Sequence, residues 1–331
     1  MLRISAMLNG QTVCAVVVTF NRKDLLNVCL EALLQQSRPV DALYLIDNAS
    51  TDQTERLLLD RGYIRDLPPA DLGAPWEKHY KVPRHDGSML DLIYVRMHEN
   101  TGGAGGFHEG VKRAYERGFA WLWLMDDDVK PAVDGLEKLL RVADEGYRCI
   151  QPSRIGPDGK VWKWERRYDP KRCRDFTRKG SSFSDGSTIE PINIGCFEGM
   201  LIHRTVVDEI GFPDPRFFVA GDDVVYGYLA SRVTPVVYAN VAALIKLLPR
   251  KPISSFSLYY HLRNHLLQLR IMRELGDASW RAPLAIAAVY FQAVRRAIAK
   301  LFGKDKYRAY TFDTIWSALS DGLRGAWGRR S

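Results

Sequence analysis

The sequence of this 331-residue chain predicts an α/β protein: an open, mostly parallel sheet flanked by helices, with a helical C-terminal extension. Three observations predict it. Short β-branched apolar runs alternate with segments whose apolar residues recur at helical spacing. The first of these runs is apolar on both faces, as buried strands of parallel sheets are. After Pro252 the pattern turns to long helical stretches.

VCAVVVTF (Val13–Phe20) is the first strand. Asn21 is placed to cap the helix that follows, where Leu25, Val28, Leu30, Leu33 and Leu34 fall at roughly helical spacing. ALYLIDNAS contains a second strand ending at Asp47, and Ser50 with Gln53 forms a capping-box pattern before TERLLLDRG. Leu92–Asn100 reads as a third strand, Gly105–Gly118 as a glycine-led helix and Trp121–Met125 as a fourth strand. Strands alternating with helices make a parallel sheet, and ligands of such sheets bind beyond the carboxyl ends of the strands. Thr19–Arg22, Asp47–Asp52, Asn100–Gly106 and Asp126–Asp128 all fall there.

Residues 66–91 interrupt this rhythm. Prolines 68, 69, 75 and 83 exclude a long helix, and the segment reads as a mobile surface insertion or a substrate-contacting flap. From about 150 to 245 the pattern is mixed, with a short helix expected within INIGCFEGMLIHRTVVDEIG and another opened by the loop of RFFVAGDDVVYGYLASR.

Apolar content of 46% and charged content of 26% are those of a soluble globular protein. The five cysteines are scattered without metal-finger spacing, which fits free thiols in a reducing compartment. Residues 1–12 lack the basic-then-apolar pattern of a secretory leader, so a cytoplasmic location is expected. The net charge of +8 is unevenly placed: residues 246–331 carry 16 Lys+Arg against 5 Asp+Glu, leaving 31 against 34 in the rest. This basic tail suits anionic lipid or nucleic acid; with no recognition motif beside it, nucleic acid is not expected. The apolar core Leu284–Val294 has eleven residues, whereas a spanning helix needs about 20. Closed by Arg295, Arg296 and Lys300, it reads as an amphipathic helix lying on a membrane surface at the cytoplasmic face, or as a packing surface on the catalytic part or a second subunit.

The chemistry-bearing stretches begin with WLWLMDDDVKP. Side chains alternate along a strand, so Asp126 and Asp128 face one site and Asp127 another. Two such carboxylates suit Mg²⁺ or Mn²⁺; the alternative is a solvated acidic turn before the next helix. NTGGAGGF permits close backbone approach to a ligand and leads into a helix N-terminus that attracts anions, or is a flexible turn; it is neither the dinucleotide nor the NTPase phosphate loop. Asp222 and Asp223 cap a helix or supply a general base. His261 and His265 lie four apart on one helix, a spacing that either binds metal or marks a polar face. Trp162 and Trp164 stack on a sugar ring or fill a core. No serine-nucleophile motif is present.

In order along the chain, VVVTFNR, LIDNASTD, NTGGAGGF, WLWLMDDDVKP, CFEGMLIHR, FPDPRFFVAGDDVVYGYL and YYHLRN together resemble the inverting family 2 glycosyltransferases of GT-A fold, most of all bacterial galactofuranosyl- and rhamnosyltransferases of cell-surface glycan synthesis. The resemblance covers roughly residues 12–275. It implies a GT-A catalytic domain over 1–250, with a nucleotide-sugar half about 12–130 and an acceptor half about 150–245, followed by the basic helical region 251–331. It implies that Thr19, Asn21 and Arg22 line the nucleotide site, that Asp47 contacts the base, and that Asn100, Gly102 and Gly103 flank the sugar nucleotide. Asp126 would hold the ribose or the metal, Asp128 would ligate the metal, and Arg263 would touch the diphosphate. Glu198 and Gly199 would shape the acceptor side with Trp162 and Trp164. Asp223 matches the base position, with Asp222 the near alternative.

Two departures stand out: the histidine that many relatives carry as a third metal ligand is missing from VYANVAALIKLLPRK, leaving Lys246 to neutralise the diphosphate or His261 to reach in, and Val225 replaces an acidic residue often found two after the base. The implied reaction moves a sugar from a UDP-galactofuranose or dTDP-rhamnose type of donor to a hydroxyl of a lipid-linked or polysaccharide acceptor, with inversion and with Mg²⁺ or Mn²⁺. A catalytically silent sugar-nucleotide-binding scaffold and a nucleotidyltransferase are the alternatives.

Overall fold

The computed structural model describes residues 11–161, 166–177, 183, 187–249 and 252–330. Trp162 and Trp164 lie outside the described residues. The first half runs β1 (Val13–Thr19), α1 (Lys23–Leu34), β2 (Ala42–Asp47), α2 (Thr54–Asp60), β3 (Trp76–Pro83), β4 (Met89–Arg96), α3 (Gly102–Glu116), β5 (Trp121–Asp126), β6 (Val129–Pro131) and α4 (Gly135–Asp144). The second half runs β7 (Cys149–Ile155), β8 (Arg166–Asp169), β9 (Arg174–Thr177), β10 (Ile189–Ile192), β11 (Leu201–His203), α5 (Arg204–Ile210), α6 (Asp222–Ser231), β12 (Val236–Lys246), α7 (Ser255–Glu274), α8 (Arg281–Leu301) and α9 (Phe312–Arg324).

The large sheet has the order β10-β12-β7-β11-β5-β1-β2-β4-β3, with β6 paired to β12. Its centre is parallel: β1 pairs with β2 and β5, and β2 with β4. β11 is inserted antiparallel between β5 and β7, and β12 returns parallel to β7. The all-apolar strand β1 explains the layering. Val13, Ala15 and Val17 point to one face, where they pack with Leu26 and Leu30 of α1, Leu58 of α2 and Leu136 of α4. Cys14, Val16 and Val18 point to the other, against Phe107 and Val111 of α3 and Val206 of α5. Fully burying each such aliphatic side chain contributes roughly 1.5–3 kcal/mol. All five cysteines are buried and unpaired as disulfides.

Several sequence expectations are corrected. Residues 66–91 hold an edge hairpin rather than a flap: β3 lies antiparallel to β4, with Tyr80, Val82 and Leu90 in the core. The third strand accordingly covers Met89–Arg96. Asn21 does not cap α1; its φ is +54°, and its side chain accepts the Thr51 amide at 2.6 Å. The Ser50–Gln53 capping box does not form, because Gln53 itself takes a left-handed φ of +68° before α2. The glycines of NTGGAGGF are the first turns of α3, which starts at Gly102 rather than Gly105.

The helical tail is not separable from the sheet-bearing part by its packing. Ala104 of α3, Phe217, Phe218, and Val225 and Tyr228 of α6 share one buried cluster with Leu258, Leu262 and Leu267 of α7, Ile286 and Tyr290 of α8 and Ile315 of α9. Ending the chain after residue 250 is therefore expected to expose Phe217, Phe218 and Tyr228. Compared with the full chain, the truncated protein should lose its cooperative thermal transition or fail to stay in solution; an unchanged melting curve would contradict this packing.

Candidate active site

The carboxyl ends of β1, β2 and β5 lie side by side, since Thr19 is in register with Asp47 and Val18 with Asp126. Asp126 ends β5, and Asp127 and Asp128 form the turn to β6. Asp127 turns toward β1, accepting Thr19 Oγ1 at 2.8 Å and Arg22 Nη1 at 3.1 Å. Asp126 and Asp128 meet Glu198: one carboxylate oxygen from each of the three lies within 4.8 Å of the others.

Glu198 arrives there because β11 runs antiparallel beside β5. Just ahead of β11, the Gly199 amide donates to Leu124 O at 2.7 Å, and Trp123 Nε1 donates to Gly199 O at 3.2 Å. Gly199 has φ +94°, and a Cβ there would lie 2.4 Å from Leu244 Cδ1, so only glycine permits this approach. Both residues were expected to shape the acceptor side. Instead Glu198 completes the acidic cluster and Gly199 positions it.

Gathering these charges requires counter-ions. Lys246, at the end of β12, is 5% exposed, and its Nζ lies 2.7 Å from Asp128 Oδ1 and 2.7 Å from Glu198 Oε1. Arg22 Nη1 also reaches Asp128 Oδ2 at 3.2 Å. Arg154 of β7, nearly buried, pairs with Glu198 Oε2 and donates to Cys196 Sγ at 3.3 Å. Burial disfavours the charge on Glu198, yet Arg154 and Lys246 outweigh it and hold this carboxyl below its ordinary value. Burial, with the charges of Asp128 and Glu198, drives Asp126 well upward. Burial also lifts Asp127 to about 6, against the pull of Arg22 and Thr19. Burial opposes the Lys246 charge, but Glu198, Asp128 and Asp126 raise its pKa above the usual lysine value. Three convergent carboxylates are the hard oxygen donors that Mg²⁺ or Mn²⁺ takes, so the residues present fit such an ion.

A cavity of about 370 Å³ opens beside this cluster, lined among others by Gly195, Asp223, Arg174, Asp175, His261 and Gln268. Segment 194–198 joins the two, with Ile194 and Gly195 on the cavity wall and Glu198 in the cluster. Asp223 and Asp222 open α6. Burial raises both carboxyls, Asp222 further through the charge of Asp223, and Asp223, to about 6, with Glu198 among the charges acting on it. Asp223 lines the cavity; Asp222 is 8% exposed and is not on its wall.

The loop before α6 is strained. Phe218, Ala220 and Gly221 have φ of +62°, +70° and +93°. Asn264 of α7 holds it by donating Nδ2 to the carbonyls of Phe217 at 3.0 Å, Val219 at 2.9 Å and Ala220 at 2.7 Å. The Phe218 carbonyl accepts the Ala104 amide at 3.1 Å, and a Cβ on Gly102 would strike that oxygen at 2.0 Å. The first glycine of NTGGAGGF thus brings α3 against the carboxylate-bearing loop.

Other expected positions differ. Arg263 is 1% exposed, and its guanidinium donates to Phe217 O at 2.8 Å and Gly328 O at 2.5 Å between the rings of Tyr259, Tyr260 and Trp327; it braces the loop rather than facing a diphosphate. His261 lines the Asp223 cavity and is not among the acidic cluster's ligand groups. Asp47 is 0% exposed and saturated by Tyr94 Oη at 2.7 Å, Arg96 Nη1 at 2.6 Å and the Ser50 amide at 2.9 Å, so it fixes the rim instead of presenting its carboxylate. Asn100 accepts the Gly102 amide at 2.8 Å, opening α3, while no heavy atom lies within 4 Å of a Cβ placed on Gly103. Residue-level reading missed Arg154 and Asn264. The RN of YYHLRN was the only signal for Asn264, and a lone arginine in QPSRI was too little to mark Arg154.

An open, mostly parallel α/β sheet with carboxylates gathered at its rim is the GT-A fold, and solved structures share it. Among solved structures, the mannosyltransferase PcManGT from Pyrobaculum calidifontis in complex with GDP-Man and Mn²⁺ is similar over 95% of this chain and 88% of its own, at TM-score 0.53 and 16% identity. S. aureus TarS 1–349 in complex with UDP-GlcNAc matches 78% of this chain and 66% of its own at TM-score 0.53 and 13% identity. GalNAc-T7 with UDP, GalNAc and Mn²⁺ matches 96% and 58% at TM-score 0.58 and 13% identity. The family model for glycosyl transferase family 2 matches residues 14–63 and 80–211, and the chain belongs to that family. It is 31% identical over 234 residues to galactofuranosyltransferase GlfT1 of Mycolicibacterium smegmatis, and 28% identical over 225 residues to that of Mycobacterium tuberculosis H37Rv. Those alignments cover 66% and 65% of this chain and 65% and 62% of the relatives, so the chain spans somewhat less than two thirds of their length.

Replacing Asn264 by Ala removes three hydrogen bonds from a loop whose backbone is otherwise unfavourable. The expected loss of unfolding free energy is roughly 2–3 kcal/mol, read from chemical denaturation. A loss within experimental error would mean that the loop holds its conformation unaided.

Proposed function

We propose that this protein transfers a sugar from a nucleoside-diphosphate donor to an acceptor hydroxyl by direct displacement, with inversion at the anomeric carbon. The observation that carries this reading is the meeting of Asp126, Asp128 and Glu198 within 4.8 Å, joined by segment 194–198 to the cavity that Asp223 lines. The similarity to galactofuranosyltransferases supports a galactofuranosyl donor of the UDP type over a dTDP-rhamnose type.

In this reading residues 12–130 form the donor half and 150–245 the acceptor half. Thr19, Asn21, Arg22, Asn100, Gly102 and Gly103 surround the nucleotide sugar. Asp126, Asp128 and Glu198 would hold Mg²⁺ or Mn²⁺, which as a Lewis acid supplies charge neutralisation to the departing nucleoside diphosphate. Lys246 and Arg22 add fixed positive charge to the same rim. Asp223 takes the proton of the acceptor hydroxyl as that oxygen attacks, and burial keeps Asp223 basic enough to accept it. Asp222, deeper and more strongly raised, stays protonated near neutrality and does not compete. The acceptor is a lipid-linked or polysaccharide glycan met at the cytoplasmic face of a membrane, with the protein held peripherally by its basic tail. No helix among the described residues is long and apolar enough to cross a membrane.

A panel of nucleotide sugars, assayed for nucleoside-diphosphate release with and without EDTA, tests the reading. One donor should be turned over, and chelation should suppress it; release of pyrophosphate from a nucleoside triphosphate would identify a nucleotidyltransferase instead. Asp223→Asn should lower kcat by about 10²–10⁴-fold while donor binding by calorimetry persists. A variant of undiminished turnover removes Asp223 from the mechanism.

The working base must be unprotonated, and burial sets its pKa at about 6. kcat/KM should therefore be level above this value and fall about tenfold per pH unit below it. A profile flat down to pH 4 is inconsistent with this base.

A further inference from the structure

A second cleft lies on the helical tail, remote in sequence from the acidic cluster. It encloses about 300 Å³ and is lined by Gln292, Arg295, Arg296, Ala299, Lys304 and Tyr307. The lining cations belong to the end of α8 and to the turn that follows it. Arg296 is held in place, donating Nη1 to Tyr310 Oη at 2.6 Å with its guanidinium 5.2 Å from the Tyr310 ring. Holding one cation in advance lowers the entropy lost when an anion is bound. Arg295 and Lys304 are exposed at the rim.

Beside the cleft runs an apolar stripe that the fold does not cover. Leu284, Phe291 and Ile298 are 61%, 63% and 42% exposed. Seven residues apart, they sit two turns apart on one face of α8. Trp280 at 74%, Leu301 at 72% and Phe302 at 80% exposure extend the face at its two ends. Arg295 is four residues after Phe291 and three before Ile298, so it borders the stripe. A large exposed apolar surface of this kind marks an interaction site.

Charge decides what covers it. From Arg281 to Arg308 the chain carries seven basic residues and one acidic. A second copy of this surface would bring like charges together. An anionic lipid layer offers phosphates to the cations and acyl chains to the stripe at once, and a free phosphate would leave Phe291 and Phe302 in water.

We propose that this cleft binds the phosphate of an anionic membrane lipid, with the α8 stripe lying among the adjoining acyl chains. The inference rests on the reading that the protein works at a membrane surface, and it names the place of contact. α8 would lie flat in the interface, its cations at the depth of the phosphates.

Co-sedimentation of the full chain with vesicles tests it, comparing phosphatidylcholine alone with an equimolar mixture of phosphatidylcholine and phosphatidylglycerol. The wild type should bind the mixed vesicles and largely ignore the neutral ones. The double variant Arg295→Glu, Lys304→Glu reverses two exposed rim charges and should weaken binding to mixed vesicles by about tenfold or more. Phe291→Ser should weaken it as well, while inorganic phosphate at the lipid concentration should not release the wild type. Melting temperatures and donor-dependent transfer to a water-soluble acceptor should be unchanged in all variants. If the wild type fails to bind anionic vesicles, the membrane reading falls and this inference with it. If the wild type binds and the double variant binds equally, the cleft is not the contact, although the membrane reading stands. A stripe substitution that turns a dimer into a monomer in light scattering without changing vesicle binding would assign the surface to a second copy and overturn the proposal.

Discussion

Four carboxylates, those of Asp126, Asp127, Asp128 and Glu198, stand together at one end of the sheet, and the fold must supply the cations that keep them there. Two like charges 4 Å apart repel by roughly 4 kcal/mol at an effective dielectric of about 20. The neutralising groups come from three separate places: Arg22 before α1, Arg154 on β7 and Lys246 at the end of β12. None is near the aspartates in sequence. The strand order brings them together, because β11 enters between β5 and β7 with Glu198 just ahead of it, while β12 carries Lys246 past β6. Removing one partner from such a buried network is costly because the others are left uncompensated.

Asp223, on the cavity wall, is held by different means. Asp223 follows a loop with left-handed φ at two non-glycine residues, Phe218 and Ala220, each costing about 1–3 kcal/mol unless its surroundings over-determine it. Here Asn264 binds three of its carbonyls from one side, Arg263 reinforces Phe217, and Ala104 at the start of α3 ties down Phe218 from the other. α7 thus serves the site although it lies in the tail, and a boundary at residue 250 describes the change of composition more than the mechanical unit.

What was legible in the sequence follows the range of the forces involved. β1, β2 and β5 are apolar runs, a signal contained within each strand. Edges and backbone strain were less visible. The prolines of the 66–91 segment exclude a long helix but not a strand: prolines are tolerated on an edge strand, and Pro83 ends one. Residue type makes Asn21 a cap and Ser50 with Gln53 a capping box, whereas Asn21 and Gln53 both take left-handed conformations to which asparagine is suited and glutamine less so. The hardest residues to place were those defined by distant partners. Glu198 looked like an acceptor residue because only the antiparallel insertion of β11 brings it to Asp126. Arg263 and Asp47 are ligand contacts only by what the family resemblance implies, and the carbonyls and the Arg96 guanidinium that consume their charges leave no local pattern in the sequence.

One further constraint links the tail to the cavity. α7 lines the cavity with His261, His265 and Gln268, and α8 packs directly on α7, its Tyr290 hydroxyl donating to the Leu262 carbonyl at 3.0 Å. The residues of α8 that face this contact, Ile286, Tyr290, Ala293 and Ala297, are buried, and the stripe of Leu284, Phe291 and Ile298 lies outside them. Helix α8 is thus buried on one side and exposed on the other, one helix away from Asp223. Helix α7 cannot shift against the loop that Asn264 holds without breaking three hydrogen bonds, so packing ties the exposed side of α8 to the wall of the cavity.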